Sequence, residues 1–186
     1  MQQYAYKKYK SYREVQIAEH DRKRDRVFVQ KANVSMLSEY IRCAVAGLRF
    51  GICHGSRTGA EQVWFRECLG IEVIGTDIAP SAKYAPHTIV WDFNKLNESW
   101  VGAADFVYSN ALDHAFNAKQ TLQVWMGQLV ADGLCIVEWT PQHVHSTKGD
   151  PFGATLEEYQ AMFAESFEVV DTLHVDDSAF IVARNR

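Results

Sequence analysis

Cysteine is scarce and scattered in this sequence. Cys43, Cys53, Cys68 and Cys135 include no C-x-x-C pair, and each sits in an apolar context. That leaves no basis for a zinc ribbon or a dithiol redox centre, and the four read as buried free thiols. Long apolar runs are also missing: nothing approaches the roughly 20 residues that a membrane-spanning helix needs. The opening MQQYAYKKYK lacks the apolar core of a secretory signal, so a cytoplasmic protein without membrane contact is expected. There is no internal repeat and no low-complexity tract. Nor is there a G-x-G-x-x-G run, which argues against a nicotinamide-dependent oxidoreductase.

What remains is ordinary in bulk and uneven in distribution. The 186 residues, 47% hydrophobic and 23% charged, suit one globular domain with its own core. Residues 1–31 carry nine lysines and arginines against four acids, a net +5, which leaves −9 on the rest of a chain whose total is −4. A basic arm on an acidic body suits attraction of phosphate or another anion, and equally a solvated helix face.

Tyr9, Tyr12 and Val15 recur at near-helical spacing, so the arm, residues 1–47, is expected to be helical. A second helix within it would be capped by Asn33, bury Val34, Leu37, Ile41 and Val45, and end at Gly47. From residue 48 the pattern becomes regular. LRFGIC, EVIGTD, HTIVWD, DFVYSN and LCIVEW read as strands. Helices are expected from about Gly59 to Leu69, from Ala118 to Val130 before the turn Asp132-Gly133, and after a capping box at Thr155 and Glu158. FEVVDTLHV and AFIVAR close the chain, joined too tightly for a crossover, so they pair antiparallel. The result is an α/β domain over 48–186: seven strands, mostly parallel with one antiparallel, helices on both faces and an N-terminal helical arm.

Ligands of such sheets bind beyond the carboxyl ends of the strands. The unusual polar residues fall there: Gly55 and Gly59 after the first strand, then Asp77, Asp92 and Asn110 at the next three strand ends. Glycines let a ligand approach the backbone, and a helix start offers free N–H groups. Asp77, 18 residues past Gly59, is placed to accept hydrogen bonds from a ribose diol.

The stretches GICHGSRTG, VIGTDIA, TIVWDFN, ADFVYSNALDHA and LVADGLCIVEW together resemble the class I S-adenosylmethionine-dependent methyltransferases, closest to their small-molecule branch. The resemblance runs from about residue 48 to the end and implies a Rossmann-like fold. It implies that Gly55 and Gly59 border the methionine part of S-adenosylmethionine, that Asp77 holds the ribose and that Ile78 packs on the adenine. Asp92 would bond the exocyclic amine, Phe93 would offer its N–H nearby, and Asn110 would lie by the amino acid end or the methyl group. Two residues depart from the family pattern. Arg57 replaces its middle glycine and either reaches the cofactor carboxylate or points outward; Cys53 replaces an acid near the methionine ammonium.

Methyl transfer depends on aligning a nucleophile with the sulfonium methyl group, and a hydroxyl acceptor also needs a base. Asp113 and His114 stand next to the expected methyl position. An imidazole, with an ordinary pKa of about 6.5, accepts a proton near neutrality, and Asp113 would orient it or bind substrate. Glu138, His143 and His145 should border the acceptor pocket, with Tyr12 reaching it from an arm that folds over as a lid. His143, His145 and Asp150 suggest a metal only by an H-x-H pattern that chance often produces, and no metal is expected. No N-P-P-Y run and no Pro-Cys pair point to a nucleobase acceptor. The expectation is an enzyme acting on a small molecule or a sugar-linked precursor, at oxygen, with an anionic acceptor favoured by the basic arm and nucleic acid disfavoured. The alternatives are a non-catalytic binding or regulatory protein of the same fold, and methylation of protein or RNA.

Overall fold

The computed structural model describes residues 1–186. Seven strands form the central sheet: β1 (Phe50–His54), β2 (Glu72–Asp77), β3 (Thr88–Val90), β4 (Ala104–Ser109), β5 (Leu129–Trp139), β6 (Glu168–Val175) and β7 (Ser178–Arg184). Their order is β3-β2-β1-β4-β5-β7-β6, and β7 runs antiparallel to both neighbours while β1 to β5 pair in parallel. Five helices accompany it: α1 (Tyr9–Arg22), α2 (Lys31–Ala44), α3 (Ala60–Leu69), α4 (Ala118–Met126) and α5 (Leu156–Ala164). The order reverses between β1 and β4, which opens a crevice at their carboxyl ends.

Central strands buried on both faces read as continuous apolar runs. All six residues of β4 are buried. Phe106 and Tyr108 face a layer containing Val34, Leu37, Ile41 and Phe65 from α2 and α3. Val107 faces the other layer, with Leu122, Trp125, Tyr159 and Phe163 from α4 and α5. Truncating one such side chain to alanine costs about 2–5 kcal/mol. The β1 side carries a polar exception: fully buried His54 places Nδ1 2.8 Å from Thr76 Oγ1 and Nε2 2.8 Å from Gln128 Oε1, and stacks on Trp125. Burial pushes its pKa down to about 4, so it is a neutral core imidazole.

Two expected boundaries move. α2 starts at Lys31, with Val34 N–H bonded to Gln30 O, so Asn33 is a buried residue inside the first turn rather than its cap. α4 stops at Met126 instead of continuing to Val130. Gln128 is what ends it: its side chain is drawn in to His54, and its carbonyl accepts from Ala103 and Ala104 N–H. β5 therefore begins at Leu129, and Asp132-Gly133 lies in a register shift opposite β4 rather than in a turn. A Cβ on Gly133 would stand 3.0 Å from Ala104 O, a close approach of backbones that glycine permits.

The arm is fastened to its own chain. Gln2–Gln3 pairs antiparallel with Phe152–Gly153, the Tyr6 hydroxyl donates to Lys148 O, and the Met1 amino group meets Glu158. α1 then crosses the carboxyl ends of the strands and buries Tyr12, Gln16 and His20, one residue per turn. That stripe is polar, because the surface it covers is the crevice. No helix is long and apolar enough to cross a membrane.

Candidate active site

Beneath α1 lies a cavity of about 270 Å³, at the lower edge of the roughly 300–1,000 Å³ typical of small-molecule sites. Of the residues singled out from sequence, Gly55, Arg57, Asp77, Ile78, Asp92, Phe93, Asn110, Asp113, His114, Glu138, His143 and Tyr12 all line it. Gly59 and His145 do not. Gly59 is the left-handed residue that starts α3, and a Cβ there would meet Pro86 and Gln62 rather than the cavity. His145 is exposed, because its backbone packs against Gly153 and leaves its side chain outside.

The glycine turn follows β1. Gly55 has φ +73°, and a Cβ there would stand 2.6 Å from the Ala111 Cβ, so both conformation and space demand glycine. Arg57 also lies in the left-handed region, at φ 39°. Its N–H donates to Asp77 Oδ2 at 3.2 Å, and its guanidinium lies over the Phe28 ring at 4.8 Å. Burial lowers the Arg57 pKa, and Asp77 and Glu61 oppose that shift. The guanidinium is turned inward.

Asp77, at the end of β2, is 7% exposed. Its Oδ1 accepts from Ala79 N–H at 3.1 Å and lies 2.8 Å from His20 Nδ1 of α1, out of line for a hydrogen bond. Asp92, two residues past β3, accepts from Asn94 and from the Tyr9 hydroxyl at 2.7 Å, with Arg13 Nε 3.6 Å away. α1 thus touches both acids expected to hold the cofactor's adenosine. His20 and Asn94 were not singled out from sequence, and Tyr9 was read only as part of the arm; for His20 the signal was the four-residue spacing of Tyr12, Gln16 and His20, hidden by its polarity.

Beyond β4, Ala111 N–H bonds the Ser109 hydroxyl, and a short 3-10 turn presents Asp113 and His114. His114 Nδ1 lies 3.0 Å from Gly149 O and 3.0 Å from Gln16 Oε1. A carbonyl only accepts, so Nδ1 carries the proton and Nε2 the lone pair. The Tyr12 hydroxyl donates to His114 O at 2.9 Å and receives the Asn94 amide at 2.8 Å, and burial raises its pKa. Asp113 is 6% exposed, and its Oδ1 is out of solvent with no partner. Its Oδ2 is 3.9 Å from His143 Nε2, while His143 Nδ1 accepts from Thr140 N–H.

Glu138, at the end of β5, is held by the Tyr108 and Ser178 hydroxyls at 2.8 and 2.9 Å. Both of its oxygens accept from these hydroxyls, and the residue lines one edge of the cavity, where it was expected to border the acceptor pocket. The trio His143, His145 and Asp150 is not brought together. Asp113, His114 and Asp150 do place one ligand atom each within 4.8 Å of one another.

Glu61, in the first turn of α3, also borders the cavity. It is 6% exposed, its Oε2 has no partner, and burial pushes its pKa up to about 8. In sequence it reads as an ordinary acid at a helix start, so its burial had no local signal.

No protein-family model matches this chain, and no curated protein does. Solved structures do. A 1,6-didemethyltoxoflavin-N1-methyltransferase from Burkholderia thailandensis, with bound 1,6-didemethyltoxoflavin and S-adenosylhomocysteine, aligns at TM-score 0.70 and 16% identity over 95% of this chain and 88% of its own. The sugar N-methyltransferase KedS8 from Streptoalloteichus sp. ATCC 53650 aligns at TM-score 0.65 and 14% identity, covering 91% and 92%. The N-methyltransferase NodS from Bradyrhizobium japonicum, in complex with S-adenosylhomocysteine, aligns at TM-score 0.64 and 10% identity over 91% and 98%. The strand order, the reversed β7 and these alignments agree: the chain has the fold of the class I S-adenosylmethionine-dependent methyltransferases.

Proposed function

We propose that this protein is a methyltransferase that moves the methyl group of S-adenosylmethionine to a hydroxyl of a small polar acceptor, in the class of sugars and sugar-linked precursors. The observation that carries the reading is His114: Nδ1–H is fixed on Gly149 O at 3.0 Å, which leaves Nε2 of this cavity-lining residue as the proton acceptor. The three neighbours named above are N-methyltransferases by description; a base favours oxygen here, because a neutral amine is already nucleophilic.

In this reading S-adenosylmethionine supplies an electrophilic methyl group. Gly55 leaves room for the donor's backbone contact, Asp77 accepts the ribose hydroxyls, and Asp92 accepts the adenine amine beside Phe93 and Ile78. The Asp113 carboxylate, buried and unpartnered at Oδ1, accepts a hydrogen bond from the acceptor and orients it. His114 Nε2 takes the hydroxyl proton as the C–O bond forms and the C–S bond breaks. α1 excludes water.

Calorimetric titration with S-adenosylhomocysteine, beside Asp77→Ala, tests the donor. Micromolar binding that the variant loses supports the reading, and no binding overturns it. Incubation with methyl-labelled S-adenosylmethionine and paired hydroxyl and amino sugars then tests the atom. Label on the amino sugars alone, with His114→Asn as active as the wild type, would refute oxygen transfer.

A further inference from the structure

Two groups able to carry opposite charge border the cavity, each with a buried atom that nothing satisfies. Arg57 Nε and Glu61 Oε2 are both shielded from solvent, and neither has a hydrogen-bond partner. They flank Gly59 at the start of α3, one helical turn apart in sequence, and both line the cavity. Burying a charged or polar group without a partner is costly, and native structures keep few such groups without a reason. The cost falls when a ligand carrying the complementary pair stands between them.

We infer that Arg57 and Glu61 form a paired receptor for the zwitterionic amino acid end of the donor, Arg57 taking the α-carboxylate and Glu61 the α-ammonium. The inference rests on the donor reading given above and adds the residues that recognise this end. Adenosine cannot use them, since it is uncharged and its ribose and adenine are matched by Asp77 and Asp92. The position also fits the sequence. Cys53 stands where an acid is expected near the ammonium, and the Cys53 thiol, raised mainly by burial, is raised further by the Glu61 carboxyl beside it. An acid absent from β1 is thereby supplied from α3. Phe28 beneath the guanidinium and the Arg57 N–H bond to Asp77 hold the basic half of the pair in place.

Protonation gives this arrangement a signature. With its pKa pushed up to about 8 by burial, Glu61 holds a proton at pH 7 in the empty site. The groups that bear on it are Arg57, Asp77 and Glu138, with Cys53 and Tyr108. An ammonium docking on Glu61 favours the ionised form, so the proton leaves as the ligand binds.

The test is calorimetry on the full chain with two ligands that differ at one end. S-adenosylhomocysteine carries the amino acid; 5′-methylthioadenosine has the same adenosine and sulfur without it. Glu61→Gln and Arg57→Gln should each weaken S-adenosylhomocysteine on the order of 10- to 100-fold, the range for a lost charged hydrogen bond. Both should leave 5′-methylthioadenosine within about twofold, which also reports an intact fold. In buffers of different ionisation enthalpy at pH 7, wild-type binding of S-adenosylhomocysteine should release a proton that Glu61→Gln does not. Equal weakening of both ligands, or unchanged S-adenosylhomocysteine affinity, overturns the inference and leaves the donor reading standing. Failure of wild type to bind either ligand overturns both.

Discussion

Glu61→Gln should make the unliganded protein more stable, by an amount that grows with pH. The carboxyl is 6% exposed, and burial raises its pKa from 4.5 in the unfolded chain to about 8 in the fold. Between those values the folded state keeps a proton that the unfolded state has lost. Stability therefore falls as pH rises, by about 1.4 kcal/mol per pH unit. Below pH 4.5 both states are protonated and the group contributes no slope; above about 8 both are ionised and the loss is complete. Across the window the loss reaches about 5 kcal/mol as a ceiling, and about 2–4 kcal/mol once water entering the cavity relaxes the burial. Glutamine matches the protonated acid in size and cannot ionise. Urea or thermal unfolding of both proteins at pH 5, 6.5 and 8 should give curves that nearly coincide at pH 5 and separate by on the order of 5–15 °C at pH 8. Other titrating groups are common to both proteins, so the difference isolates Glu61. A constant offset at all three pH values, or a wild type that is the more stable at pH 8, would refute the argument that this carboxyl is buried without its counter-charge.

Two further outcomes follow from the same reasoning. The Tyr9 hydroxyl donates to Asp92 Oδ2 at 2.7 Å, so a ligand using that oxygen must displace it; Tyr9→Phe should tighten S-adenosylhomocysteine binding about three- to tenfold, and weaker binding by calorimetry would show that Tyr9 contacts the ligand instead. His54 behaves oppositely to Glu61: its pKa is pushed down from 6.5 to about 4, so the unfolded state binds the proton first and stability is lost as pH falls through that interval, by about 3 kcal/mol. His54→Gln, less stable at pH 7 for want of the stack on Trp125, should lose less on going from pH 6.5 to 4 in urea titrations; an unchanged acid slope would place the titrating group elsewhere.

Much of this protein is written locally. The alternation of apolar runs with glycine-terminated helices determined seven strands, a mostly parallel order and the reversed β7, because strand and helix periods and short connections leave few topologies open. Gly55 was legible for a local reason: the turn requires a positive φ. Asp77, Asp92, Asn110 and His114 were legible by position, since side chains at the carboxyl ends of parallel strands converge on the crevice. The tertiary structure decided what distant partners impose. α4 ends at Met126 because Gln128 is needed by His54, 74 residues away. Gln16 and His20 are buried because α1 lies over a polar crevice, so their helix shows no apolar stripe to read. The proton on His114 is assigned by Gly149, 35 residues on, and His145 falls outside because its backbone is taken up against Gly153. Glu61 is the plainest case. A glutamate in the first turn of a helix is favourable by sequence alone, and only the tertiary packing that sets it near Cys53, Tyr108 and Glu138 turns it into a buried acid with Oε2 unpartnered.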